Sequence, residues 1–411
     1  MPDAGLPVGV AKILPKQVII GGLGIVQILS WGSSYYLLAV LAGPIASDTG
    51  WALPWIIGAL SAGLLIAGIV SPRVGRTIGK KGGRGMLAMA AVLLAAGLAI
   101  IGFAPVLPIF IFGWVVLGAG MGAGLYDAAF ATLGVIYGAS ARRTITYLTL
   151  WGGFASTICW PLSAFFVEEF GWRGACLTYA AIHIAICLPI ILLVLPSGNS
   201  TVSATAVSKI GPDHRLSGPE RRLFFLLAAV LMVGSVTMSI VSVHLLTLLQ
   251  AQGVALAVAV SLGALIGPAQ VGARVIEMLF GTRLHPIWTL ASAVGLVALG
   301  LVLLAADFPI LALSLLLYGG GNGLYSIARG TLPLALFGPR RYAPLIGRIA
   351  MPNLIAQALA PSLGAAVLVQ VGANGTLVFL AILGVANFAL LAALFQATIK
   401  FRTTIPARHS I

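Results

Sequence analysis

Long stretches without a charged residue constrain this chain more than any other feature. No Asp, Glu, Lys or Arg occurs between Arg222 and Arg274, or between Arg348 and Lys400. Each stretch is long enough for two of the helices of roughly 20 apolar residues that cross a lipid bilayer. Only 8% of the 411 residues are charged, whereas soluble domains carry roughly 25%. The chain is therefore predicted to be a multi-pass membrane protein.

The apolar stretches divide into about twelve predicted helices. Breaks within the longest stretches fall at PVLP (105–108), QAQG (250–253) and GANG (372–375). The predicted helices are centred near residues 30, 62, 94, 121, 155, 184, 236, 264, 295, 322, 355 and 387. Because the first apolar run is full length and follows a short N-terminus, no cleavable signal peptide is expected.

The basic residues concentrate on one predicted side of the membrane. In the twelve-helix arrangement, 20 of the 23 Lys and Arg residues fall on that side. The other side carries Arg173 together with the acids Asp48, Glu168, Glu169 and Asp307. By the positive-inside rule, both termini are expected to face the cytoplasm. The net charge of +14 is then explained by topology and by attraction to anionic lipid, and no nucleic-acid partner is expected.

The two halves of the chain carry related sequences. GAGLYDAAFATLG at 122–134 aligns without gaps to GNGLYSIARGTLP at 321–333, with seven of thirteen positions identical. Both segments are followed by a basic pair, and then by a proline at Pro161 or Pro361. These sequence similarities predict two six-helix halves of parallel topology, 1–195 and 221–411, joined by a polar cytoplasmic linker at 196–220.

Together, twelve helices in two halves, a basic loop after helix 2 and GWRG at 171–174 resemble the major facilitator superfamily. WGSSYYLLAVLAGPIASDTGW at 31–51 is similar to the first helix of its bacterial monocarboxylate-transporter-like members. The resemblance implies an all-α membrane fold with pseudo-twofold symmetry, a central cavity lined by helices 1, 4, 7 and 10, and a bacterial inner-membrane location. The loop motif of the family departs at one position, since GRTIGKKGGRG at 75–85 has Gly79 where an acid usually stands.

A single carboxylate, Asp127, lies in the long apolar region between Arg84 and Arg142. Placing an aspartate near the centre of a membrane helix costs about 2.5–3.5 kcal/mol, and such residues usually face the bundle interior and function there. We expect Asp127 to carry a coupling proton. The alternative is a protonated acid that only packs one helix against another.

Arg329 is the expected counterpart of Asp127 in the other half. It aligns with Phe130, one turn beyond Asp127 on the same face of the repeat. A guanidinium suits bidentate binding of a carboxylate, so Arg329 is predicted to bind substrate and to pair with Asp127 as a gate. A permanent buried salt bridge is the structural alternative.

Further candidates lie on the helices that the resemblance places around the cavity. Asn322, Ser326 and Arg329 follow one another at i, i+4 and i+7, so they share a helix face. The other substrate-binding candidates are Gln27, Trp31, Tyr35, Tyr36, Tyr126, His244 and Tyr325. Tyr35 and Tyr36 could instead belong to an interfacial aromatic belt, and His244 could be a packed histidine. The basic residues Arg76, Lys80, Arg84 and Arg274 are predicted to form the conformational gate.

These features predict a secondary active transporter that moves a small solute by alternating access. A small organic anion such as a monocarboxylate is the expected substrate, with protons as the coupling ion. The alternative is an exporter of drugs or other toxic compounds, including metalloids, although Trp160-Pro161-Leu162-Ser163 replaces the Gly-Pro motif of drug antiporters in helix 5.

An enzyme or a membrane sensor is disfavoured, because neither a catalytic cluster nor a soluble signalling domain is visible. The sequence has no phosphate loop, no GxSxG and no HExxH motif. The three cysteines, Cys159, Cys176 and Cys187, have no CxxC spacing and are interpreted as small apolar residues of helices. No cofactor and no metal is expected. The expected partners are the substrate and membrane lipid, and the chain is expected to be a monomer.

Overall fold

The computed structural model describes residues 14–197, 216–281 and 284–404, and most of these residues are helical. In the first half, helix 1 consists of Lys16–Gly32 and Leu38–Thr49, helix 2 is Leu53–Lys81 and helix 3 is Arg84–Phe103. Helix 4 consists of Leu107–Gly124 and Tyr126–Tyr137, followed by the 3₁₀ turn Gly138–Ser140. Helices 5 and 6 are formed by Ala141–Gly153, Ala155–Ile182, the π-helix His183–Cys187 and Leu188–Val194.

The second half follows the same order. Helix 7 is Gly218–Ala251, helix 8 consists of Leu256–Ala264 and Ile266–Phe280, helix 9 is Pro286–Ala305 and helix 10 is Leu311–Phe337. Helices 11 and 12 lie within Pro339–Thr404. Helix 7 begins with a capping box, in which Ser217 and Glu220 satisfy each other's backbone N–H groups.

Eight continuous helical stretches of the described residues are long and apolar enough to cross a bilayer. Two of them contain more than one crossing. Leu107–Val194 spans 88 residues and holds helices 4, 5 and 6, whereas Pro339–Phe401 spans 63 residues and holds helices 11 and 12. The chain changes direction at Gly171 (φ 68°) and Gly372 (φ 70°), in left-handed conformations that glycine adopts easily.

With helix 1, which is broken between its two parts, the crossings within the described residues number twelve. The predicted all-helical membrane fold is confirmed. The predicted linker at 196–220 lies largely outside the described residues, so the exact limits of the two halves stay a prediction.

Glycines on helices 4 and 10 let equivalent helix pairs approach closely in each half. A Cβ built on Gly122 of helix 4 would lie 2.6 Å from the carbonyl oxygen of Ala67 on helix 2. A Cβ built on Gly319 of helix 10 would lie 2.9 Å from the carbonyl oxygen of Ile266 on helix 8. Only glycine permits such backbone contact. Helices 2 and 4 are thus packed in the first half as helices 8 and 10 are in the second.

We name the two ends of the bundle by their charges. The basic end carries the arginines and lysines that end or begin helices, among them Lys80, Lys81, Arg142, Arg143 and Arg340. The acidic end carries Asp48, Glu168, Glu169 and Asp307.

The two halves pack against each other toward the basic end. Helix 2 crosses helix 11 so closely that a Cβ on Gly75 would lie 3.1 Å from Cα of Gly347. One turn further, Gly79 lies against Pro344, with 3.3 Å between its built Cβ and the Pro344 Cδ. Gly79, the glycine in place of the acid of the family motif, therefore serves direct packing between the halves.

Toward the acidic end, two outer helix segments pack within their own halves. Leu38–Thr49 of helix 1 packs on helix 2 and on the Ala155–Ile182 stretch, and Leu256–Ala264 of helix 8 packs on helices 7 and 10. An open surface groove of about 470 Å³ lies between helices 1 and 5 of the first half in this region, lined by Val40, Trp160 and five small residues. The structure is thus a conformation closed at the basic end.

A disulfide should trap this conformation. The built Cβ of Gly79 lies 3.6 Å from Cβ of Ala343, within the ~3.5–4.5 Å that a disulfide requires. In a variant without the three native cysteines, we expect Gly79→Cys with Ala343→Cys to cross-link on oxidation and to lose transport until it is reduced. Cross-linking is read on gels after cleavage of a protease site inserted in the predicted linker. Gly58→Cys with Ala343→Cys is the matched control, because nothing lies within 4 Å of the built Cβ of Gly58. Equal cross-linking of both pairs would contradict the packing described.

Candidate functional site

Helix 4 is interrupted inside the membrane, immediately before its only acid. Leu125 has an extended backbone (φ −76°, ψ −167°) between Gly124 and Tyr126. The break frees backbone groups, and Gln27 of helix 1 satisfies one of them, since its Nε2 donates to the carbonyl oxygen of Gly124 at 2.7 Å. Asp127 therefore lies in the first turn of a new helix. The unpaired N–H groups of a helix start favour a negative charge there.

In each of the two related segments of helices 4 and 10, one helix face is less buried than the rest. Among residues 121–134, only Asp127 is half-buried and all the others are buried. Among residues 321–334, only Asn322, Ser326 and Arg329 are half-buried. These are the three residues whose i, i+4, i+7 spacing predicts a common face. The two faces are the partly open surfaces of helices 4 and 10.

Asp127 and Arg329 form a two-pronged ion pair that joins the halves. Nε of Arg329 donates to Oδ1 of Asp127 at 3.1 Å, and Nη2 donates to Oδ2 at 2.5 Å. Their side chains are only 13% and 12% exposed. A parallel pair of charge-assisted bonds is the strongest form of this contact. Removing one partner of such a buried pair typically costs about 3–5 kcal/mol, because the other charge is left uncompensated.

Asn353 of helix 11 is the residue at this site that the sequence analysis missed. It is fully buried. In the amide orientation that satisfies both of its ends, Oδ1 of Asn353 accepts from Nη1 and Nη2 of Arg329 at 3.0 and 3.1 Å. Its Nδ2 then donates to the carbonyl oxygen of Leu231 at 2.9 Å and to Oγ of Ser235, both on helix 7. A signal was present in the sequence, because Asn353 is the first polar side chain after Arg348 in an apolar helix.

Bulky side chains close the site on the side of the basic end. Phe130, Ile145 and Tyr342 are each 0% exposed. The Tyr342 hydroxyl donates to the carbonyl oxygen of Gly330 at 2.6 Å, and a Cβ on Gly330 would lie within 2.8 Å of both Phe130 and Ile145. These contacts link helices 4, 5, 10 and 11 and form the floor of the site.

A small cavity of about 20 Å³ adjoins the ion pair, which is room for a single water molecule. Its lining is mostly apolar and includes Trp31, Tyr126, Asp127 and Arg329. Nε1 of Trp31 is buried and has no hydrogen-bond partner among the described residues. Tyr126 stacks on Phe130 at 5.1 Å between ring centroids. A substrate larger than water must therefore widen this cavity.

The other candidates on helices 1 and 4 lie around this cavity or support it. Trp31 contacts Tyr35, Tyr36 and Tyr126, with ring centroids 5.1–6.1 Å apart. The Tyr35 hydroxyl accepts a hydrogen bond from Nε2 of Gln357 on helix 11 at 3.3 Å, so this tyrosine reaches the second half. Gln27, in contrast, is 0% exposed and is engaged with the break in helix 4.

The remaining candidates on helices 7 and 10 are engaged within the second half. The Tyr325 hydroxyl donates to the carbonyl oxygen of Leu231 and lies 3.2 Å from Oγ of Ser235. Oγ of Ser326 donates to the carbonyl oxygen of Gly323 in its own helix. His244 lies 3.0 Å from the Pro361 carbonyl oxygen through Nε2, a packing contact between helices 7 and 11. Asn322 is half-buried on the open face of helix 10.

Of the four predicted gate residues, Arg274 is the one placed between the halves. It is only 6% exposed, and its Nη1 donates to the carbonyl oxygen of Thr149 on helix 5 at 3.1 Å. Its Nε donates to the carbonyl oxygen of Gly323 on helix 10. Arg142 adds a second contact between helices 5 and 8, donating to the carbonyl oxygen of Gly281 at 2.8 Å.

The other three predicted gate residues lie in helices and not in a loop, since Arg76 and Lys80 belong to the last turns of helix 2 and Arg84 begins helix 3. None of them makes a contact between the halves that the structure shows among the described residues. Arg84 donates through Nη2 to the carbonyl oxygen of Leu192 in its own half at 2.6 Å. Nε of Arg76 donates to the carbonyl oxygen of Pro72 one turn earlier, and Lys80 is exposed. The contact between the halves at helix 2 is made instead by the backbone around Gly75 and Gly79, since a glycine surface lets the helices approach closely.

Comparison with known proteins agrees with this architecture. The family model of the Major Facilitator Superfamily matches residues 23–284. No curated protein matches the chain. Similar solved structures include the human organic anion transporter MFSD10 (TETRAN), at TM-score 0.70 and 16% identity over 92% of this chain and 100% of that one.

Two sugar transporters have the same fold. The proton:xylose symporter XylE aligns at TM-score 0.69 and 12% identity, over 92% of this chain and 95% of that one. The transporter FucP in the outward conformation aligns at TM-score 0.70 and 16% identity, over 93% and 99%. The chain belongs to the Major Facilitator Superfamily. It is a secondary transporter and not an enzyme.

Arg274 should stabilise the state closed at the basic end. We expect Arg274→Met to slow cross-linking of the Gly79→Cys/Ala343→Cys pair several-fold, because the contact with Thr149 is lost. Arg173→Met is the matched control, since Arg173 also donates to helix-end carbonyls, those of Gly102 and Ala104, but within one half. Unchanged cross-linking in Arg274→Met would remove Arg274 from the gate.

Proposed function

We propose that this transporter carries a small organic anion by alternating access, coupled to protons through Asp127. The observation that carries the proposal is the ion pair between Asp127 and Arg329, which bridges the two halves beside a buried cavity. Arg329 is the cation to which an anionic substrate would bind, and Asp127 is the group that the substrate must replace.

The charge balance of the site couples protonation of Asp127 to binding of an anion by Arg329. In the closed pair, the aspartate and the guanidinium sum to zero. If Asp127 takes up a proton and an anion takes its place on Arg329, the site again sums to zero. Either state avoids an uncompensated charge in a mostly apolar cavity, which would be expensive. If Asp127 is protonated while no anion is bound, the charge of Arg329 is unpaired. If an anion binds while Asp127 stays ionised, one negative charge is unpaired. We infer that one proton accompanies one negative charge and that transport is electroneutral.

The rest of the proposed binding site consists of side chains that line the cavity or lie beside it. Within the described part of the chain, the indole N–H of Trp31 has no hydrogen-bond partner, and Tyr35, Tyr36 and Tyr126 surround this indole. Asn322 and Ser326 continue the open face of helix 10 toward the acidic end. Few polar groups in a largely apolar pocket suit a small solute with one charged group.

We place the basic end in the cytoplasm of a bacterium, with the chain in the inner membrane, because positive charges are retained on that side. On this assignment the structure is an outward-facing state, in which the floor of Phe130, Ile145 and Tyr342 separates the site from the cytoplasm. Similarity to an organic anion transporter and to two proton symporters is consistent with the substrate class and coupling proposed.

Uptake into proteoliposomes tests the proposal. We expect labelled C2–C6 monocarboxylates to accumulate when the outside is acid, and a neutral sugar such as xylose not to. Accumulation should be independent of an imposed membrane potential, because the cycle is electroneutral. Uptake of sugar but of no acid would overturn the substrate class. Movement of a cationic drug against the pH gradient would favour the exporter.

Asp127→Asn should separate coupling from transport. The amide resembles the protonated carboxyl, so substrate can still displace it from Arg329. We expect counterflow exchange of labelled acid to continue and accumulation driven by a pH gradient to disappear. Accumulation equal to that of the wild type would refute the proton role of Asp127.

Arg329 should determine whether an anion is bound. Lysine keeps the charge but loses the planar fork, so Arg329→Lys should transport weakly, with KM raised about tenfold. The double change Arg329→Ala with Asp127→Ala removes both charges and should fold without transporting the anion. If the double variant regained transport of that acid, the pair would be only a structural bridge. Thermal unfolding of each purified variant controls for misfolding.

A further inference from the structure

The five N–H groups of Arg329 are divided between two partners. A guanidinium has two edges on which two N–H groups lie side by side, and one further N–H stands alone. Asp127 occupies the edge formed by Nε and Nη2. The single oxygen of Asn353 occupies the edge formed by Nη1 and Nη2. Four of the five N–H groups are therefore engaged, and only one, on Nη1, is left over.

The two partners differ in how easily they can leave. Asp127 is released from the guanidinium when it is protonated, because protonation removes its charge. Asn353 does not titrate, is fully buried, and is held from behind by the Leu231 carbonyl and by Ser235. The only edge on which an incoming carboxylate can form two bonds is thus the edge of Asp127.

From this division we propose that Asn353 is the positioning residue that enforces coupling: it blocks the second edge of Arg329, so that an anion can bind only in exchange for a protonated Asp127. The inference rests on the proposed function and adds to it a residue on helix 11 that touches neither the proton nor the substrate. Without Asn353, the second edge would offer two N–H groups to a carboxylate while Asp127 remained ionised on the first, and only the cost of the extra negative charge would then oppose uncoupled binding.

The surroundings of Asp127 contain no other group that would produce the same effect in the part of the chain that the structure describes. The charged and titratable groups nearest to Asp127 are Arg329 and Tyr325 on helix 10, Tyr342 on helix 11 and Tyr126 on its own helix. Arg274 of helix 8 lies beside Tyr126, since both donate to the carbonyl oxygen of Thr149, but an arginine keeps its charge over the whole range of the assay and produces no pH dependence. Tyrosine ordinarily titrates near pH 10, far above the range of the assay. Helix 2 presents the apolar Leu64 and Ala67. The arginines of helices 3 and 5 lie at the basic end, beyond the floor.

Two substitutions of Asn353 should have opposite effects. Asn353→Ala opens the second edge, so anion binding should persist at high pH. Asn353→Asp fills the same space with a carboxylate that neutralises Arg329 permanently, so anion binding should fall at least tenfold at every pH. A residue with only a packing role would show similar effects of both changes on stability and no effect on the pH profile.

Equilibrium binding of labelled propionate and butyrate to purified protein between pH 5 and 8 tests this. For one coupled proton, the wild-type Kd should rise roughly tenfold per pH unit once Asp127 is ionised. In Asn353→Ala we expect a slope clearly shallower than that of the wild type, with proton uptake on binding reduced in parallel. Asn387→Ala is the matched control, a buried asparagine on helix 12 of the same half, and should keep the wild-type slope.

The outcomes separate the two proposals. If the wild type binds these acids with the expected slope and Asn353→Ala keeps it, Asn353 does not enforce coupling and the proposed function stands. If the wild type binds neither probe, the proposed function fails for these acids, and the role of Asn353 fails with it. Should Asn353→Ala not fold, Asn353→Ser, which is also too short to reach both Nη atoms, replaces it in the same assay, and a full wild-type slope there overturns the inference.

Discussion

The cost of an unpaired charge in an apolar interior governs this structure. Asp127 and Arg329 lie deep in the bundle, on helices 4 and 10 of opposite halves, and each is the main compensation for the other. Neither half alone could hold its charge cheaply. The pair is therefore a contact between the halves, and we propose that it is also the site at which an anion exchanges.

The two halves pack their helices in the same way, but they carry different polar and charged side chains at the site. Helices 4 and 10 use glycines in the same way to approach helices 2 and 8. Helix 4, however, is broken at Leu125, whereas helix 10 runs continuously from Leu311 to Phe337. The break places the acid at a helix start, where backbone N–H groups favour negative charge. The continuous helix instead presents a long cation with its flanking polar side chains. The repeat thus accounts for the similar packing of the two halves, and its divergence places an acid in one half and a base in the other.

Polar side chains buried in the first and second halves keep these irregular positions in place. Gln27 satisfies the carbonyl oxygen at the break in helix 4, and Asn353 ties Arg329 to helix 7. Each of the two amides joins helices that lie far apart in the sequence. At the basic end, two separate contacts hold the halves together. Glycines bring helix 2 against helix 11, and Arg274 reaches from helix 8 to helix 5. Such contacts are few and specific, which suits an interface that must open and close.

Much of this could be predicted from the sequence, and for clear reasons. Hydrophobicity over twenty residues is a local property, so the twelve crossings followed from charge-free runs. Asp127 stood out because an acid in a membrane helix is costly, and Arg329 because the repeat aligned it one turn away. The shared face of Asn322, Ser326 and Arg329 followed from helical spacing. Tertiary structure alone decided which side chains meet across the halves. Asn353 and Gln27 are ordinary amides in the sequence, and their roles depend on carbonyls and guanidinium groups brought to them by other helices. The break at Leu125 is likewise invisible in a segment whose twin stays helical, because it is stabilised by a partner 97 residues away in the chain.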